Sequence, residues 1–148
     1  MNRTVRLTLA PIVGLIAGIA LVAVVQAISH LIFEAPQGVD LSTPEAVSAF
    51  MATVPLGAKL GVVLSWAAGM FGGGWVARRI APGQRWVYSS VIALLLLLTC
   101  MNFVTIPHPV WMIVAPFVIA YAAWWVLDAR ARTTAPAPLQ GDAPGAKR

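Results

Sequence analysis

Gln26, His30 and Glu34 recur every four residues, so on a helix they share one face. His108 stands between two prolines, and Asn102 precedes it by little more than a helical turn. Asp40 follows Glu34 in the same polar segment. Two imidazoles and a carboxylate, His30, His108 and Glu34, are the donor set of a divalent metal: zinc with an open position, or iron. Gln26, Asp40 and Asn102 would support such a site by hydrogen bonding. The histidine spacing matches no dedicated motif such as HExxH. The plainer roles are an i,i+4 pair of His30 with Glu34, and His108 as a turn residue facing water. Gln26 and Asn102 then serve as interhelical hydrogen-bond partners, worth about 0.6 kcal/mol each. No cofactor is needed for these roles.

These residues can meet only if the elements carrying them are arranged to bring them together. The chain is 59% hydrophobic and 10% charged, against roughly 25% charged in a soluble domain. Four apolar runs, over about 7–29, 56–76, 87–104 and 110–127, are long enough to cross a hydrocarbon core of about 30 Å. Every Lys and Arg except Lys59 falls before the first run, between the second and third, or after the fourth. Glu34, Asp40 and Glu45 fall between the first and second. This is the positive-inside pattern of an even number of spans with both termini cytoplasmic. Trp75, Trp86, Trp124 and Trp125 collect at the predicted cytoplasmic interface and Trp111 at the other. Trp66, in mid-span, either faces lipid or has a partner for its indole N–H.

The expected fold is therefore an all-α integral membrane four-helix bundle, residues 1–132, in an inner membrane. A short periplasmic interfacial helix is expected over about 44–53. Ser42-Thr43-Pro44-Glu45 reads as its capping start, and Val47, Phe50, Met51 and Val54 make one apolar face. Residues 133–148, rich in Ala, Pro and Gly, read as a disordered cytoplasmic tail. Under this topology Gln26, His30, Glu34, Asp40, Asn102 and His108 all lie on the periplasmic side.

Gly57, Gly61, Ser65, Gly69, Gly73 and Ala77 are spaced by four throughout the second run, and Ala10, Gly14 and Gly18 form a shorter match in the first. Between helices in lipid, association rests on close van der Waals contact, which small residues permit. The series predicts a close helix crossing, inside one bundle in preference to a homodimer face.

Several classes are excluded or disfavoured. The basic residues flank apolar runs and form no stripe, which argues against nucleic acid. Cys100 is the one cysteine, so thiol chemistry by cysteine pairs is out. No Asp, Glu or Arg lies deep within an expected span, where proton-coupled transporters place one. Ala27-Ile28-Ser29-His30, the loop with Pro36 and Asp40, Gly72-Gly73-Gly74-Trp75-Val76-Ala77-Arg78-Arg79 and Ile106-Pro107-His108-Pro109-Val110-Trp111 together resemble small four-span bacterial inner-membrane proteins of unknown function. The resemblance covers about residues 5 to 130 and implies a bacterial inner-membrane location; it carries over no catalytic residue. The leading expectation is a structural, scaffolding or accessory membrane protein, with the lipid bilayer and a homo-oligomer or larger membrane complex as partners. The alternatives are a membrane enzyme or metal-binding protein using His30, Glu34 and His108, and an oligomeric small-molecule permease.

Overall fold

A computed structural model describes residues 2–33 and 42–133. Glu34, Pro36, Asp40 and the expected tail from residue 134 onward lie outside the described residues. Within them the chain is all-helical. The elements are α1 (Arg3–Ile32), α2 (Pro44–Thr53), α3 (Leu56–Ile80), α4 (Arg85–Thr105) and α5 (Val110–Thr133). All but α2 are long and apolar enough to cross a membrane.

Each long helix runs past its apolar stretch. α3 continues through Arg78 and Arg79, and α5 continues through Asp128 to Arg132. Backbone hydrogen bonding does not stop where apolar side chains stop, and cations in a last turn suit the negative end of the helix dipole. Pro11 lies inside α1 and Pro116 inside α5. Pro44 opens α2, and Thr43 caps it by accepting from the Ala46 N–H at 3.2 Å. The turn from α3 to α4 needs a left-handed residue, and Gly83 supplies it at φ 79°.

α3 is the central helix and packs on α1, α4 and α5. Its small-residue series lies along α1 in antiparallel register. A Cβ on Gly73 would stand 2.7 Å from the carbonyl oxygen of Gly14, and one on Gly14 would stand 2.6 Å from Ala77 Cβ. Farther along, Gly69 meets Val22 and Gly18, Gly61 meets Ser29, and Gly57 meets Phe33. Backbones this close leave no room for a side chain, which is what spacing by four on both helices provides.

The α1 start, α3 end, α4 start and α5 end meet at one end of the bundle, here the arginine end. Arg6 Nε donates to the Ile80 carbonyl at 3.0 Å, satisfying part of the α3 C-terminus. Close by, Asp128 on α5 accepts from Arg85 on α4 at 2.8 Å and from Arg132 at 2.7 Å. The dry core, with Val87, Tyr88, Val91, Ala77 and Leu127, fills the half of the bundle next to this end. Large apolar side chains also face outward from the long helices, among them Ile16, Leu97 and Val118. That inverted distribution suits an apolar solvent.

Candidate functional site

Away from the arginine end, the bundle is hollow. α1 and α4 touch where Gly14 meets Val91 and Gly18 meets Leu95. Beyond that level a cavity of about 840 Å³ opens between α1, α3 and α4. From α1 it is lined by Ile19, Val22, Gln26, Ser29, His30 and Phe33, and from α3 by Ala58, Lys59, Val62, Trp66 and Met70. α4 contributes Leu95, Leu98, Thr99 and Asn102. The turn after α4 adds Ile106 and His108, and α5 adds Met112. Phe50 and Met51 of α2, and Val54 just after it, form part of the roof.

The space is open to the surroundings of the bundle, with Ile19 and Leu98 lining it and half exposed, so it is an accessible cleft and not a sealed packing void. Its volume lies within the range of small-molecule sites, about 300–1,000 Å³, and its walls are largely apolar with a few polar groups.

Those polar groups fall at two levels. In the interior, Gln26 Nε2 donates to Ser65 Oγ across α1 and α3 at 3.3 Å, and Ser65 donates onward to the Val62 carbonyl at 2.6 Å. Thr99 donates back to the Leu95 carbonyl of its own helix at 2.9 Å. These atoms are largely used in holding the walls. Ser65, a small residue of the α3 series, is fully buried, so the bond from Gln26 satisfies an acceptor away from water. At the outer level stand His30, Lys59, Asn102 and His108. His108 Nδ1 lies 2.6 Å from the Ile106 carbonyl, which makes Nδ1 the donor and leaves Nε2 with its lone pair in the neutral ring. The ring packs against Phe103 at 5.1 Å and Trp66 at 6.1 Å, and Trp66 meets Phe103 edge-on at 5.7 Å. This aromatic group stiffens one wall.

His30, His108, Gln26 and Asn102, paired in the sequence only by topology, thus line one cavity. Glu34 and Asp40 lie outside the described residues, and no group of three His, Cys, Asp or Glu able to hold a metal ion occurs among the described residues. Trp66 is 5% exposed and turned inward, so of the two places expected for it the lipid-facing one does not hold; it stands in the cavity wall.

Two features are not marked in the sequence. Lys59 lines the cavity, and a lone lysine at the start of an apolar run gives no such sign. Asp128 lies in the last turns of α5, just past the fourth expected span, and is 2% exposed, a burial that nothing local in the sequence announces. Tyr88 donates to it at 3.1 Å beside the two arginines. The one local signal was of an ion pair, with Arg132 at i+4; Arg85 and Tyr88 come from another helix. No family model, characterised protein or solved structure matches the chain.

Proposed function

We propose that the chain is a multi-pass protein of a bacterial inner membrane whose role is accessory and non-catalytic: it holds a largely apolar small molecule with a polar end in the hollow half of its bundle. The observation that carries this reading is the cavity itself, of small-molecule size and lined mostly by apolar side chains with a polar outer level. The arginine end is cytoplasmic in this reading and the cavity opens toward the periplasm, with α2 on the periplasmic interface. The gathering of Arg3, Arg6, Arg78, Arg79, Arg85, Arg130 and Arg132 supports that orientation. His30, Asn102 and His108 orient the ligand by hydrogen bonding.

The test is a titration of the detergent-purified chain with a naphthalene-based solvatochromic probe. A saturable blue shift is expected. Val62→Phe, which fills the cavity, should weaken binding at least about tenfold, the loss expected when roughly 1.4 kcal/mol of apolar contact is removed. Ala93→Phe, on the exposed face of α4, should leave it unchanged. No saturable binding, or equal binding by both variants, would overturn the reading.

A further inference from the structure

We infer that the occupant is a membrane lipid with an anionic headgroup, entering sideways between α1 and α4, its acyl chain in the cavity and its headgroup beside Lys59. This rests on the ligand-binding reading above and adds the chemical class of the ligand and its route.

The route follows from how α1 and α4 part. They are in contact at Gly18 and Leu95. Immediately beyond, Ile19 and Leu98 form two lips of the cavity and are 47% and 48% exposed. A residue that lines the cavity and is half open to the outside marks a side opening. At that height the surroundings of the bundle are acyl chains, because α1 and α4 are apolar on both sides of it. An amphiphile already in the leaflet can pass through this slot without entering water; a water-soluble ligand cannot use it.

The headgroup position follows from the grading of polarity. Deep in the cavity, Met70, Leu95 and Val22 offer only apolar contact, and the Gln26–Ser65 pair is bonded to itself. The charged group is at the outer level. Lys59 is the only Lys or Arg among the described lining residues, and it sits in the N-terminal turns of α3, where the positive end of the helix dipole adds to its charge. A cation at headgroup depth above an acyl-sized apolar chamber is complementary to a phosphate carried on acyl chains. α2 borders the cavity: Phe50 and Met51, with Val54 just after its end, line it while Glu45 and Ser48 are exposed, the orientation of an amphipathic helix lying at an interface.

The experiment uses Trp66, which lines the cavity and is screened from the lipid around the bundle. Trp75, Trp86, Trp111, Trp124 and Trp125 are replaced by Phe, and the chain is reconstituted in vesicles of phosphatidylcholine containing a minor fraction of acyl-brominated phosphatidylglycerol or acyl-brominated phosphatidylcholine. Bromine quenches indole on contact, so quenching of Trp66 reports a chain inside the cavity. Brominated phosphatidylglycerol should be preferred by about fivefold, the contribution of one Lys near an anionic surface. Lys59→Gln should abolish the preference, and excess inorganic phosphate should not reverse the quenching. An unquenched Trp66, equal quenching by both lipids, or reversal by phosphate overturns the inference. The unmodified chain supplies a second readout should the five-Phe variant not fold. Released from nanodiscs of equal phosphatidylglycerol and phosphatidylcholine into a native mass spectrometer, it should retain phosphatidylglycerol; no retained lipid, or no preference, overturns the inference equally. If the solvatochromic probe binds while the lipid arms fail, the lipid assignment falls and the ligand-binding reading stands. If the probe does not bind either, both fall.

Discussion

Asp128 accepts from Arg85, Tyr88 and Arg132, and it differs sharply from the two arginines in exposure. Its carboxylate is 3% exposed, whereas the side chains of Arg85 and Arg132 are 58% and 69% exposed. Removing the carboxylate leaves two guanidinium groups that water can reach. Removing both guanidinium groups leaves a buried charge with Tyr88 as its remaining donor, which is the costlier defect. Arg85→Gln combined with Arg132→Gln should therefore lower the thermal aggregation midpoint in detergent by more than Asp128→Asn. A larger drop for Asp128→Asn would show that water, not arginine, solvates this carboxylate. The spacing of Asp128 and Arg132 was legible in the sequence, but the burial was not, because Arg85 and Tyr88 stand 43 and 40 positions away. Gln26 shows the same limit: its partner Ser65 was visible as a small residue for packing, with no hint that its hydroxyl is an acceptor.

At the scale of the helix, the α1–α3 seam changes character along its length. At Gly73 an added Cβ meets the backbone of Gly14 and Gly18, which cannot move without separating the helices. At Gly57 it meets the ring of Phe33, the far end of a side chain that can turn away into the cavity. Alanine is favoured over glycine in a helix by up to about 1 kcal/mol, while overpacking costs about 1–3 kcal/mol. Gly73→Ala should thus lower the aggregation midpoint clearly, and Gly57→Ala should leave it within about a degree, since the propensity gain there offsets a small adjustment. Equal losses would mean that the seam is tight throughout. The four apolar runs and the spacing by four were readable because length and period are local properties. The helix ends were not, because helices persist through arginine and aspartate once apolar residues run out. Nor was the parting of α1 and α4 beyond Gly18, because no spacing records where two distant helices lose contact.

For the whole molecule, one end is tied by Arg6, Asp128 and a dry core, and the other is a chamber roofed by α2. The proposed function needs that chamber to open on the periplasmic side, with the arginine end in the cytoplasm. The positive-inside asymmetry predicts this orientation, and Lys59, at the outer level of the chamber, gives a place to measure it. In a Cys100→Ala background, a single cysteine is placed at Lys59 or at Gln84, in the turn between α3 and α4, and spheroplasts are treated with a membrane-impermeant thiol reagent. The account predicts that the cysteine replacing Lys59 is labelled from outside, that the solvatochromic probe slows this labelling, and that the cysteine replacing Gln84 reacts only after the membrane is opened. Labelling at position 84 from outside, or at position 59 only after permeabilisation, would contradict it.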